Sequence, residues 1–413
     1  MSEQGVLLII FNIFTAIFFY LERKRSVMNP TVYYLFFNWV MVVGCFQYFE
    51  FDLKADITHS LILMFTPIFI FIGYKLAIGR QNIQAIYNSF WNETPLIPIN
   101  KNQSKKILIL FVITIFLSLL YYQLVGYNLV FLSLTSNVED FVSLRLGAYS
   151  GENYYAPGFF NQFKNTIFPI LYVYYAYKLK GTKWFWSYVI ILGLILLYAL
   201  TGTGQRTFII TGFLIVISIL YGLNNGKLQR KYIFLSFGLV IVIFTFLSLR
   251  LNRTSDSSIL GSFQQLFYRV FDSNQYSAIV GFRYIYEQDI QLGAEWLQSL
   301  VGLIPGVKGS DLSNRIFNVL FGGFRGTAPL NVWGSAYHNF GILGSVYLGI
   351  AIGYFYTKIY LRFLKGSKNI VRICVYCALF IYLATWIAGA PPQLINNGLL
   401  GCFVILLLLK LKA

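Results

Sequence analysis

Two short stretches hold the residue types that can do chemistry. The segment Ser335-Ala-Tyr-His338-Asn-Phe-Gly341 carries one of only two histidines in the 413 residues. Imidazole exchanges a proton near neutral pH, so His338, flanked by Tyr337 and Asn339, is a candidate general base. The other histidine, His59, has no comparable context and reads as structural. The second stretch is Thr201-Gly-Thr-Gly-Gln-Arg206-Thr-Phe, a tight turn running into an apolar segment. Arg206 opens that segment, where a guanidinium and the unpaired N–H groups of a helix start can hold one anion together. It can equally snorkel to a lipid phosphate.

These residues need a scaffold, and composition says which kind. The chain is 57% hydrophobic, 19% aromatic and only 11% charged. A soluble protein of this length needs a larger charged fraction to coat its surface. The expectation is an all-α polytopic membrane bundle. A hydrocarbon core of about 30 Å takes about 20 apolar residues per helix. On that measure about eleven spans are expected, near 5–21, 31–49, 57–78, 106–124, 161–178, 184–201, 206–223, 231–250, 334–358, 369–389 and 394–411. Residues 80–105 read as an interfacial loop containing Trp91 and Pro95. The first span has no basic residue before it and Arg23-Lys24-Arg25 after it, the reverse of a cleaved signal. Cys45, Cys374, Cys377 and Cys402 all fall in apolar runs; Cys374-Val-Tyr-Cys377 has redox or zinc spacing but no second pair, so the thiols read as small core residues.

The net charge of +17 sorts by loop. Most basic residues fall in one alternating set of connections, from Arg23 through Lys101, Lys180, Arg230 and Lys368 to Lys412, with only Glu22 and Glu93 against them. That bias places those connections inside, the N-terminus outside and the C-terminus in the cytoplasm. It also accounts for the charge without nucleic acid. The inner loops contain no glycine-rich phosphate fingerprint. Chemistry is therefore expected outside, where the connections 125–160 and 251–333 lie with the short turns near Thr201–Arg206 and Gly389–Gln393; the connection 251–333 separates a bundle over 1–250 from one over 334–413.

The long loop is patterned. Leu260, Phe263, Leu266, Phe267, Val270 and Phe271 recur at helical spacing, as do Tyr276, Ile279, Val280 and Phe282; Gly302–Gly306 marks a turn, and Asp311–Phe321 fits a further short helix. Outer basic residues are mainly arginine: Arg145, Arg206, Arg250, Arg253, Arg269, Arg283, Arg315 and Arg325, beside Lys54, Lys164 and Lys308. The guanidinium fork suits phosphate and carboxylate; Glu139, Asp140, Asp256, Asp272 and Glu287, or lipid headgroups, are its other available partners. After His338, the small residues Ser345, Gly349 and Gly353 repeat every four positions, which allows close helix contact.

The turn ending in Arg206 resembles the Ser/Thr-Gly-Ser-Arg turn of the Wzy-type O-antigen polymerases and the related O-antigen ligases. The segment Gly326-Thr-Ala-Pro and Ser335-Ala-Tyr-His338-Asn-Phe-Gly341-Ile-Leu-Gly344 resembles the region after their large periplasmic loop. Where that family often carries an acidic residue shortly before the Asn, this chain has Ser335 and Ala336, leaving His338 as base. The resemblance implies an inner-membrane glycosyltransferase facing the periplasm. It would move a growing glycan from undecaprenyl pyrophosphate onto a new lipid-linked repeat unit, without metal or other cofactor. It further implies Arg206, Arg250, Arg253, Arg269, Arg283 and Arg315 as the pool of diphosphate contacts. Tyr337 and Asn339 would position the acceptor, and a chain-length regulator is a possible partner. Two rivals stay open: a ligase delivering finished glycan to lipid A core, and a lipid-linked oligosaccharide flippase. A flippase should bury charges in its spans and show repeat symmetry.

Overall fold

The structure is a computed structural model that describes residues 2–22, 28–135, 141–150, 157–224, 274–323 and 326–409, with single positions between 238 and 272. Among these residues the fold is helical, with two isolated β-bridges, Ile97 with Asn369 and Asn331 with Ala388. In chain order the helices are α1 (Glu3–Glu22), α2 (Pro30–Phe46), α3 (Lys54–Ile78), α4 (Ile83–Asn88), α5 (Lys101–Val125), α6 (Leu129–Thr135), α7 (Phe141–Ser150), α8 (Pro157–Gln162) and α9 (Phe168–Leu179). There follow α10 (Phe185–Thr201), α11 (Arg206–Leu223), α12 (Asn274–Tyr286), α13 (Ala294–Val301), α14 (Leu312–Phe321), α15 (Val332–Lys365), α16 (Ile370–Thr385), α17 (Pro391–Leu394) and α18 (Leu400–Leu408). Among the described residues five stretches are long and apolar enough to cross a membrane: α1, α3, α5, α15 and the run Pro391–Leu408. Shorter apolar helices cover Pro30–Phe46, Phe185–Thr201, Thr207–Leu223 and Ile370–Thr385. The expected span 231–250 and the stripe Leu260–Phe271 lie outside the described residues. Residues 80–105 differ from the expected loop: α4 and a π-turn over Ser89–Glu93 bury Ile83, Phe90 and Trp91.

The chain forms two units, each assembled from separate stretches. The first comprises Met1–Asn88, Gln265–Lys365 and Leu383–Ile395. Its centre is the contact of α3 with α15, whose backbones approach closely at glycines. A Cβ on Gly73 would lie 2.0 Å from the Ile350 carbonyl oxygen, and one on Gly353 would lie 2.0 Å from that of Ile70. Gly349 faces Phe69. The four-residue repeat of small residues thus does what its spacing implies: lipid supplies no hydrophobic drive between helices, so close backbone approach and dispersion must hold them. Ser345, the third member, donates its hydroxyl to the Trp333 carbonyl at 3.2 Å. Pro67 interrupts the bonding of α3, and Thr66 beside it donates to Leu63 O at 2.7 Å and accepts from Asn38 Nδ2 at 3.2 Å. Such side-chain bonds re-satisfy polar groups where no water reaches. Gly353→Ala is expected to lower stability by about 1–3 kcal/mol through overpacking, seen as a fall in the thermal midpoint of the detergent-purified protein; an unchanged midpoint would mean this seam is not tight.

The second unit comprises Ser89–Gln264, Gly366–Tyr382 and Asn396–Ala413. Here α5 starts with a reciprocal capping box between Asn100 and Gln103 and ends on Gly126 in the left-handed region. The turn Thr201–Gly204 is bolted to the start of α6: Leu129 N donates to Gly202 O at 2.7 Å, and Asn128 Nδ2 donates to Tyr198 O at 3.1 Å. Cys374 and Cys377 are buried free thiols in α16, and the Cys377 carbonyl accepts from Ser218 at 3.4 Å.

Candidate functional site

In the first unit the segment Val332–Phe340 opens α15 and is set off from the rest of that helix at Gly341, whose φ of 65° and ψ of −156° break the helical run. A φ in this range is one that side-chain-bearing residues avoid, so the break depends on glycine. Neighbours pin the segment from several directions. Trp333 Nε1 donates to Asn38 Oδ1 at 2.7 Å, from α2. Asn331 bonds His59 Nε2 at 2.9 Å and accepts from Gly334 N at 2.7 Å. Val332 N donates to Ile387 O, Gly389 N to Leu330 O and Gln291 N to His338 O. A segment bonded this densely holds its side chains in fixed positions, which a reactive group requires.

His338 lies on this segment, only 3% exposed. Its Nδ1 has no hydrogen-bond partner among the described residues. Glu295 and Arg315 act on it electrostatically with opposite sign. Asn339 is fully buried; its Nδ2 donates to Glu295 Oε2 at 3.1 Å and to Ser335 O at 2.9 Å, and its Oδ1 accepts from Trp296 N at 3.3 Å. Trp296 Nε1 donates to Ser335 Oγ at 2.9 Å, and Ser299 Oγ donates to Glu295 Oε1 at 2.9 Å. A carboxylate, an amide and two hydroxyls therefore form one network beside the histidine. Tyr337 faces an aromatic group instead, 4.9 Å from Phe282 and stacked at 6.1 Å with Tyr286 between ring centroids.

The acidic group that local sequence lacks before Asn339 thus arrives from the long loop. Glu295 is the second residue of α13 and was not among the sequence candidates. The signal available was a carboxylate next to a tryptophan on a short amphipathic helix, four residues before Ser299. A small recess of about 340 Å³, counting its open mouth, runs along this network. Glu295, Ser299, Ser310, Ser313, Ser335 and Gln393 supply its polar lining.

The arginines separate. Arg283, on α12, is answered within the unit: its Nε and Nη2 fork onto Asp56 at 2.9 and 2.6 Å, and Nη2 also meets Tyr48 O at 3.1 Å and Glu50 Oε1 at 3.1 Å. Asp56 is fully buried and also accepts from Glu50 N at 2.7 Å. Arg315 pairs one helical turn back with Asp311 at 3.0 Å, both half exposed. Arg250, Arg253, Arg269 and Arg325 lie outside the described residues. His59 is structural as expected, stacked on Phe282 with centroids 4.0 Å apart and planes within 5°. The buried face of α12 is Gln275, Ala278, Ile279, Phe282 and Ile285, whereas Tyr276 is exposed. Asp311–Phe321 is helical from Leu312, as its pattern predicts.

In the second unit Arg206 opens α11, a helix whose start has no side-chain cap. Lys164, read from sequence as one more outer charge, is fully buried there. Its ammonium lies 4.5 Å from the Tyr121 ring centroid, 4.9 Å from that of Phe208 in the first turn of α11, and 5.8 Å from that of Tyr122. Asn165 Oδ1 is 3.4 Å away. Ring quadrupoles attract a cation, yet no acidic partner for Lys164 is found among the described residues. The Thr203 hydroxyl, in the turn before α11, is buried with no hydrogen-bond partner among them.

No curated protein and no solved structure matches the chain. A family model, O-antigen polysaccharide polymerase Wzy, matches residues 4–319, including Arg206, Arg283, Glu295 and Arg315 and stopping short of His338. That match runs through most of the sequence, so this multi-pass helical protein belongs to the O-antigen polysaccharide polymerase Wzy family.

Proposed function

We propose that the protein is a repeat-unit polymerase of the bacterial inner membrane, spanning it about eleven times with its N-terminus and long loop on the periplasmic side. In this reading it transfers a growing glycan from undecaprenyl pyrophosphate to a new undecaprenyl-pyrophosphate-linked repeat unit. The acceptor hydroxyl oxygen attacks the anomeric carbon of the donor. The bond from that carbon to the pyrophosphate oxygen breaks, its electron pair leaves with the diphosphate, and the hydroxyl proton passes to His338. The donor is already activated, so the step needs no cofactor. The observation that carries the reading is the buried His338 beside the Glu295–Asn339 network, in a chain of this family. Asn339 and Tyr337 are proposed to position the acceptor.

For the diphosphate we propose Arg206, with Lys164 at the same helix start. Negative charge grows on the leaving group, and preorganised cations are worth most where water is excluded. Arg250, Arg253, Arg269 and Arg315 complete the proposed pool. Arg283, already forked onto Asp56, is the least available member. A ligase would consume finished chains rather than extend them. The deciding experiment is incubation of the purified protein with a lipid-linked repeat unit alone: a ladder of lengthening products supports polymerisation, and an unextended substrate would sink it. In that assay Arg206→Ala is expected to reduce extension by about 10²–10³-fold, with the protein still recovered from membranes in normal amount. Wild-type extension by the variant would remove Arg206 from the diphosphate role.

A further inference from the structure

The recess beside Glu295 has a composition that the transfer step alone does not require. We infer that it is a subsite for the terminal sugar of the acceptor, and that it selects a neutral or amino-bearing sugar over an acidic one. The inference rests on the polymerase reading for the word acceptor, but the recess and its charge stand independently of it.

Three features point this way. First, hydroxyls dominate the lining, and their open valences are of both kinds. Ser335 Oγ accepts from Trp296, which leaves its proton to donate. Ser299 Oγ donates to Glu295, which leaves its lone pairs to accept. A sugar hydroxyl is both donor and acceptor, and such a mixed wall satisfies it in either role. Second, Leu312, Pro329 and Leu330 add apolar groups to the lining. A pyranose ring likewise has polar edges and a face of C–H groups, and burying that face adds hydrophobic gain to the hydrogen bonds. Third, the only charged group in the lining is the Glu295 carboxyl; among the described residues no lysine or arginine lines the recess. A sugar carboxylate placed there would meet the like charge of Glu295, a penalty of the kind that gives specificity. An amino group would meet an acceptor. The recess is small and open at its mouth, so a longer chain must extend out through that mouth.

The test uses the full-length protein in lipid nanodiscs free of sugar detergents, with no lipid-linked donor present. Two soluble probes are compared by saturation-transfer NMR and titration: a neutral disaccharide, lactose, and the same disaccharide with its terminal galactose oxidised to the uronate. Lactose is expected to bind at least about tenfold more tightly than the uronate. Glu295→Gln should narrow that preference to less than about threefold by strengthening the uronate. Two filling variants on different elements, Ser313→Phe and Gln393→Phe, should each abolish saccharide binding while the thermal midpoint stays near wild type. Equal binding of the two probes, an unchanged preference in Glu295→Gln, failure of lactose to bind at any concentration, or undiminished binding in both filling variants overturns the proposal. A repeat-unit ladder made by a protein that fails these binding tests would sink only the subsite. Saccharide binding by a protein that makes no ladder would sink only the polymerase reading.

Discussion

Replacing His338 with alanine is expected to lower chain extension by about 10²–10⁴-fold, the usual worth of a positioned general base. The acceptor hydroxyl is a poor nucleophile while it holds its proton, so the loss should fall on turnover rather than on substrate affinity. The variant should still fold: Nδ1 makes no hydrogen bond among the described residues, and the segment around it is held by Asn331, Trp333 and Asn339. The measurement is the rate of ladder formation against repeat-unit concentration, with recovery from the membrane as the folding control. Glu295→Gln makes a useful companion. It keeps an oxygen for Asn339 to donate to but removes the charge that His338 feels. Its extension rate should fall less than that of His338→Ala. A His338→Ala protein that extends chains at the wild-type rate would end the assignment of this residue as base.

What the sequence disclosed was largely what local spacing can encode. A repeat of small residues every four positions in α15 announces close packing, and Gly349 and Gly353 do meet α3. The helix from Leu312 follows directly from its apolar period. His338 and Asn339 stood out because histidine is rare here and the motif is contiguous. Other features arise only from residues far apart in the chain, where periodicity carries no information. Glu295 meets Asn339 across 44 positions, and Asp56 meets Arg283 across 227. Counting the outer arginines as one phosphate-seeking set treated charge as a property of a loop. The structure divides the set by partner, with Arg283 engaged by a carboxylate that the sequence had not paired with it. Lys164 shows the converse: an ordinary-looking outer lysine whose aromatic enclosure comes from α5 and α11.

That division gives the largest expected effect on stability. Breaking the Asp56–Arg283 pair should destabilise the protein by about 3–5 kcal/mol in Arg283→Ala, which leaves the fully buried Asp56 carboxylate without its partner, and by less in Asp56→Ala, where the Arg283 side chain left behind is 26% exposed. Asp56 has no exposure, and its two oxygens hold the Arg283 fork together with the Glu50 amide. Loss of the carboxylate therefore releases α12 from α3, and with it Phe282, which stacks on His59. Glu50 limits the damage only partly, since its contact with Arg283 is a single one at 3.1 Å and its side chain is 64% exposed. The midpoint of thermal unfolding should fall in Asp56→Ala and fall further in Arg283→Ala. The double variant Asp56→Leu/Arg283→Met should recover much of the loss, because apolar residues of similar volume often replace a buried pair at little cost. Additive losses in the double variant would show that the two side chains stabilise separately rather than through each other. Wild-type stability in Asp56→Ala would mean that Arg283 is not held by this pair, and would return it to the pool of arginines able to receive a phosphate.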